Sequence, residues 1–282
     1  TTYFYHCCQL MARYATLLGK SDDAQHYREL AARLKAGFNK TFLKPDGSQY
    51  DNGSQTSCVL PLAFGLVPDE HRGPIFSRLV NKITGETKNH IGTGLVGGQW
   101  LMRTLSDNGR ADLAYTLASN RDYPSWGYMV EQGATTIWEL WNGDTADPAM
   151  NSGNHVMLVG DLVIWLYEYL AGIRPDPEQP GFKHILMKPH PVGDLTWVKA
   201  THRSLYGVIA SEWKKEGDAF KWNITVPPNT TATVFVPARD AAGVAENGKS
   251  AAQARGVKFL RMEAGRAVFS VGSGRYAFTG RP

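Results

Sequence analysis

The amino-acid sequence predicts an α+β multidomain chain: helical hairpins first, an antiparallel β-sandwich after them. Three observations predict it. Apolar residues recur at helical spacing through roughly the first 170 residues. Pro175, Pro177 and Pro180 then fall within six positions, a stiff break in any helix. Beyond them the pattern changes to short alternating runs separated by turn residues. The expected domains are therefore 1–174 and 175–282.

The helical elements follow in order. Tyr3 to Leu18 carries Leu10, Met11, Tyr14 and Leu17 along one stripe, and Gly19 is placed to stop it. Ser21 is positioned as an N-cap, with Asp22 and Asp23 in a first turn that favours negative charge. The next helix runs to about Phe42, with Tyr27, Leu30, Leu34 and Phe38 inward, and Lys44-Pro-Asp-Gly47 is turn chemistry. Further helices are expected at about Gln55–Phe64, Asp69–Ile83, Leu95–Leu105, Arg110–Ala118 and Asn154–Ala171. Neither βαβ alternation nor a phosphate-binding glycine loop is present, and the segments read as consecutive antiparallel helix pairs, the unit of toroids and solenoids.

Eight strands are expected after the break: His184–Met187, Thr196–Ala200, Gly207–Trp213, Ala219–Val226, Ala232–Val236, Val257–Leu260, Ala267–Val271 and Arg275–Phe278. Glu216-Gly-Asp218, Glu246-Asn-Gly248 and Gly272-Ser-Gly274 supply turns between them. Short strands at this spacing suit a sandwich.

Composition narrows the function. A net charge of +4 without a dense basic run argues against a nucleic-acid partner. No apolar window is long enough for a membrane span; the most apolar segment, Val156–Ile173, contains Asp161 and Glu168. Cys7, Cys8 and Cys58 form neither a disulfide framework nor a zinc spacing, and read as small buried thiols. The sequence calls for no cofactor and no metal. Asn-x-Ser/Thr triplets at Asn39, Asn52, Asn223 and Asn229 read as chance matches.

The chemistry concentrates in Gly133-Ala-Thr-Thr-Ile-Trp-Glu-Leu-Trp-Asn-Gly-Asp144. It sets Glu139 between Trp138 and Trp141. A carboxylate beside apolar rings is poorly solvated, which raises its proton affinity and suits acid–base work. Flat indoles also match the C–H face of a sugar ring. Glu139 can equally be a capped helix-end residue in an aromatic core, since perturbed carboxylates mark sites only probabilistically.

Asp122-Tyr-Pro-Ser-Trp-Gly-Tyr-Met129, Gly133 to Glu139 and Asn151-Ser-Gly-Asn-His155 together resemble the α-L-rhamnosidases of glycoside hydrolase family 78. The likeness extends through Gln55-Thr56, His90-Ile-Gly-Thr-Gly94, Tyr169-Leu-Ala-Gly-Ile173 and Gly181-Phe-Lys-His-Ile185, in order and over nearly the whole chain. The resemblance implies an (α/α)6 barrel followed by a β-sandwich. It implies inverting hydrolysis of terminal α-L-rhamnose from glycosides or polysaccharides, in which one carboxylic acid protonates the leaving oxygen and a second activates water on the opposite face. Glu139 matches the general base. His155 matches a histidine that contacts the sugar; by its own position it could also be a helix N-terminal residue bonded to the backbone. Trp126 and Trp138 are candidates for the sugar platform or pocket wall, with Trp141 a further one, and core packing is the alternative for each. His90 joins the substrate-binding set by its place before Thr93-Gly94. Glu131 and Asp144 read as scaffold or solvent-facing residues.

One departure stands out. The family's general acid belongs to an acidic motif that residues 1–132 do not match. The chain is therefore expected to be the later part of the barrel plus the sandwich, with the acid upstream in the same enzyme. The competing readings are another glycosidase on the same toroid, or a non-catalytic carbohydrate-binding or scaffold module.

Overall fold

The computed structural model describes the backbone of residues 1–282 and all side chains except those of residues 156–160. The chain divides into two compact units, Thr1–Leu162 and Val163–Pro282.

The first unit is helical. Helix α1 (Thr2–Leu17) packs on α2 (Ser21–Phe42) as a hairpin. Gly19 takes φ +68°, and the Lys20 and Gly19 amides donate to the Ala15 and Thr16 carbonyls at 2.8 and 3.1 Å. That left-handed glycine closure ends α1 where the sequence placed the stop. The buried stripe of α1 is different from the expected one. Tyr5, Cys8, Ala12 and Ala15 face inward, while Met11, Tyr14 and Leu17 are 41, 53 and 80% exposed. Both helices bury mainly small residues here, Ala24 and Ala31 on α2, because small side chains let two helix backbones approach closely. Ser21 is the first helical residue; Lys20 holds the N-cap position and no side chain caps it. Among the thiols, Cys8 and Cys58 are buried, but Cys7 is exposed.

Helices α3 (Gln55–Phe64), α4 (Asp69–Asn81), α5 (Leu95–Asp107), α6 (Ala111–Ser119), α7 (Trp126–Glu131) and α8 (Val156–Trp165) follow. The short α7 has no counterpart among the expected helices. Two expected helices end in π-helical turns instead of α-helix, Lys82–Glu86 after α4 and Leu166–Leu170 after α8. At the first, the Thr84 hydroxyl donates to the Val80 carbonyl at 3.0 Å, and Thr87 to Ile83 at 3.1 Å. Hydroxyls that bond back to helix carbonyls compete with the α-helical ladder.

A buried polar group sits beside α5. Asp161 of α8 is 6% exposed, and its Oδ2 has no hydrogen-bond partner. A Cβ built on Gly98 would lie 3.5 Å from that oxygen and 3.6 Å from Thr93 Oγ1, which is also buried and unpartnered.

The second unit is a two-sheet sandwich. Its strands are β1 (Ile173–Pro175), β2 (His184–Met187), β3 (Trp197–Ser204), β4 (Gly207–Glu216), β5 (Ala219–Val226), β6 (Thr231–Pro237), β7 (Ala245–Glu246), β8 (Lys249–Ser250), β9 (Val257–Glu263), β10 (Arg266–Val271) and β11 (Gly274–Gly280). One sheet runs β1-β2-β6-β10-β9 and the other β3-β4-β5-β11-β7-β8. The pairing is antiparallel except for β2 with β6, which is parallel. β1, β7 and β8 are additions to the expected strands; each spans two or three residues, too short for alternation to register. The alternating residues of both sheets meet in one core that includes Met187, Trp213, Phe220, Trp222, Val234, Phe269 and Phe278. Phe269 and Phe278 stack with centroids 5.9 Å apart. Burying each such side chain contributes about 1.5–3 kcal/mol.

Ser211 of β4 is fully buried at that core. Its hydroxyl donates to the Ala171 carbonyl at 2.6 Å and accepts from Trp222 Nε1 at 2.9 Å. Trp213 Nε1 donates to the neighbouring Leu170 carbonyl at 2.7 Å. These bonds tie the 170–171 backbone to the sandwich. Ser211→Ala is expected to strand one buried N–H and one buried C=O, lowering stability by about 1–3 kcal/mol. Chemical denaturation measures it; an unchanged midpoint would mean that water reaches both groups.

Candidate active site

Two segments far apart in the motif map lie side by side. The Glu139 amide donates to the Ser152 carbonyl at 2.9 Å and the His155 amide to the Ile137 carbonyl at 2.7 Å. Asn151 Oδ1 accepts from the Leu140 amide at 3.0 Å, and the Thr136 hydroxyl donates to the Gly153 carbonyl. The result is a short antiparallel ladder between residues 136–140 and 151–155, without formal strands. It supplies partners to backbone groups that turn sequence would otherwise leave to water.

The ladder brings Glu139 and His155 together. His155 Nδ1 lies 3.9 Å from Glu139 Oε2, with the histidine side chain 16% and the carboxylate 44% exposed. Ser152 N donates to the same Oε2 at 3.1 Å. One carboxylate oxygen is thus anchored by a backbone N–H beside an imidazole. Among the described residues Oε1 has no hydrogen-bond partner, and the side chain reaches solvent. The expected poorly solvated carboxylate between indoles is not what the structure has: the side chain is anchored by the Ser152 amide and reaches solvent.

The indoles separate. Trp126, at the start of α7, is 8% exposed, and its Nε1 has no partner. It packs edge to face with Trp141, centroids 5.7 Å apart at 76°. Trp138 is half-buried and leans on Gly143, where an added Cβ would come within 2.6 Å of the ring. Only a residue without a side chain fits beneath it. Ser125 caps α7 by accepting the Tyr128 amide at 2.9 Å. The Tyr128 hydroxyl points at Asp144, 3.3 Å from Oδ2, and burial followed by that carboxylate pushes the phenol above its ordinary pKa. Glu131 pairs with Arg121 at 2.8 Å.

His90 belongs to a different cluster. Its Nδ1 lies 2.9 Å from the Thr87 carbonyl, and its Nε2 is buried without a partner. Gln55, 1% exposed, donates Nε2 to the His90 carbonyl at 3.0 Å and accepts the Gly92 amide at 2.9 Å. A Cβ at Gly97 would strike Thr56 Oγ1 at 2.5 Å. The motif pair Gln55-Thr56 and His90–Gly94 is therefore one buried clamp between α3 and the approach to α5. Among the described residues, no hydrogen bond, ion pair or ring contact joins His90 to Glu139, His155 or the three indoles. Among the described residues, no group of three or more His, Cys, Asp or Glu could hold a metal ion, and no helix is long and apolar enough to cross a membrane.

Residues 1–170 match the model of the bacterial alpha-L-rhamnosidase 6 hairpin glycosidase domain, and residues 172–251 that of the bacterial alpha-L-rhamnosidase C-terminal domain. The chain belongs to the bacterial α-L-rhamnosidase family. An α-L-rhamnosidase of Streptomyces avermitilis is 38% identical over 99% of the chain, and one of Formosa agariphila 34% identical over 99%. The structure of the Streptomyces avermitilis α-L-rhamnosidase complexed with L-rhamnose superposes with a TM-score of 0.91 at 37% identity, over 99% of this chain. That of the Dictyoglumus thermophilum α-L-rhamnosidase does so with 0.90 at 35%, over 100%. The chain spans 26% and 30% of the two curated relatives and 26% and 31% of the two solved chains. The helical hairpins followed by β-sheets agree with the expected toroid and sandwich.

The sequence offered both motifs of this candidate site but not the roles of Ser152, Asn151 and Gly143. Their contributions are a backbone N–H, a cap across a loop and the lack of a side chain. None of these leaves a periodic or compositional signal.

Proposed function

We propose that the chain carries the general base of an inverting α-L-rhamnosidase, with Glu139 as that base and His155 as a sugar-contacting residue. The carrying observation is the two-sided environment of Glu139. Ser152 N–H fixes Oε2 at 3.1 Å, while Oε1 is unpartnered and the side chain is 44% exposed. A carboxylate so held can accept a proton from a water that attacks the anomeric carbon as the glycosidic bond breaks. His155, 3.9 Å away, orients a sugar hydroxyl beside that water. Trp138 offers a half-buried apolar wall. His90 acts at most through the Gln55 clamp.

In this reading the general acid lies outside these 282 residues, about 6.5–9.5 Å from the base so that the water fits between them. The coverage of only 26–30% of the curated relatives supports it. The domain boundary near residue 174 belongs to the same proposal. The substrate is a terminal α-L-rhamnosyl group on a glycoside or polysaccharide. Proton NMR of the first turnovers on an aryl α-L-rhamnoside tests the mechanism: β-L-rhamnose is the expected first product, and α-L-rhamnose would overturn inversion.

A further inference from the structure

The second unit contains a cleft of about 640 Å³, large enough for a small ligand. It opens where the β4–β5 and β9–β10 turns meet the segment after β2. His190, Lys215, Asp218, Phe220, Arg239 and Arg266 are among its walls. Three cations face one carboxylate, and Asp218 is already paired with Arg281 at 3.2 Å.

Arg266 is the unusual member. Its Nε is buried with no hydrogen-bond partner. Its two terminal nitrogens reach only backbone carbonyls, Ala264 at 3.5 Å and Pro189 at 3.4 Å, both long for such bonds. The nearest acid, Glu263, is held by Lys188 at 3.3 Å and Arg261 at 2.5 Å. Arg239 donates Nε to the Pro282 carbonyl at 3.0 Å and lines the cleft, as does Lys215, which forms no ion pair among the described residues. A guanidinium with such long backbone contacts, in a concave wall where cations outnumber acids, offers the fork geometry that matches a planar or tetrahedral oxyanion. Burial above all, then Arg266, Lys188 and Arg174, depress His190 to about 3, so it stays neutral and can hydrogen-bond without adding charge.

We propose that this cleft binds an oxyanion-bearing saccharide, its carboxylate or sulfate ester on Arg266 and Arg239. The site is independent of the assignment of Glu139. That the ligand is a saccharide rests on the rhamnosidase reading above; that it is charged follows from the cations of the wall.

The test is NMR titration of the 282-residue chain with glucuronate, glucose 6-sulfate, inorganic sulfate and neutral L-rhamnose, following the amides of Ala264–Arg266 and the arginine Nε–H signals. At least one charged sugar is expected to shift them, with affinity falling tenfold or more in Arg266→Gln and between about 0.05 and 0.5 M salt. Glucuronate alone identifies a carboxylate ligand, and glucose 6-sulfate alone a sulfate ester. Arg239→Ala, an exposed change, must weaken binding as well, which keeps the test valid if Arg266→Gln does not fold. Binding of inorganic sulfate alone, equal binding of L-rhamnose, no shift with any probe, or full affinity in both variants would overturn the proposal.

Discussion

Glu139→Gln is expected to lower α-L-rhamnoside hydrolysis by about 10²–10⁴-fold, the usual cost of losing a general base. Glutamine keeps the shape of the side chain, and its amide oxygen can still accept the Ser152 N–H that anchors Oε2 at 3.1 Å. What disappears is the ability to take a proton from water. The expected signature is therefore a fall in kcat with little change in melting temperature. The measurement uses an aryl α-L-rhamnoside on the longer protein proposed above and on its Glu139→Gln variant. A rate within a few-fold of the parent would end the base assignment. The 282-residue chain alone is expected to turn over negligibly, because only one carboxylate of the pair is matched within it. Robust turnover by it would place the acid among these residues and turn attention to Glu131 and Asp144.

The second large effect concerns stability. Asp161 is buried and is pushed up to about 6 from its ordinary 3.8; burial is the dominant cause, opposed by Arg103. The folded state therefore holds a proton that the unfolded chain has already released above pH 4. Between about pH 4 and pH 6 the native state binds more protons, so stability falls as pH rises through that window and stays lower above it. A shift of roughly two units corresponds to about 3 kcal/mol at most. Asp161→Asn mimics the neutral acid without the ionisation. It is expected to match the parent near pH 4 and to exceed it by up to about 3 kcal/mol at pH 7.5, raising the melting temperature by several degrees. Thermal unfolding of both proteins across that range decides the matter. A variant less stable than the parent at pH 7.5 would mean that Asp161 is ionised and paired.

Much of the fold was legible because burial imposes a period. The alternation in Ala219–Val226 placed β5, the short apolar run Ala267–Val271 placed β10, and Gly19 placed the end of α1. Legibility failed where a small residue mattered more than a large one. The inward face of α1 uses Ala12 and Ala15, and a hydrophobic stripe read by size selects Met11 and Tyr14 instead. It failed again where hydroxyls of Thr84 and Thr87 changed the ladder of a helix that the apolar pattern extended unchanged.

By itself the sequence determined the two fold classes, the change of pattern at Pro175–Pro180 and the ordered motifs that carry the rhamnosidase family. These are local or linear properties: spacing, turn chemistry and residue order. Only the tertiary structure decided that Ser152 holds Glu139 and that His155 meets it. The same holds for the Gln55 clamp on the His90 segment, and for the wall in which Lys215, Arg239 and Arg266 outnumber Asp218. Those facts depend on which backbone N–H and which charge arrive within about 3–4 Å after folding. That distance is set by loop closure and packing, not by neighbourhood along the chain.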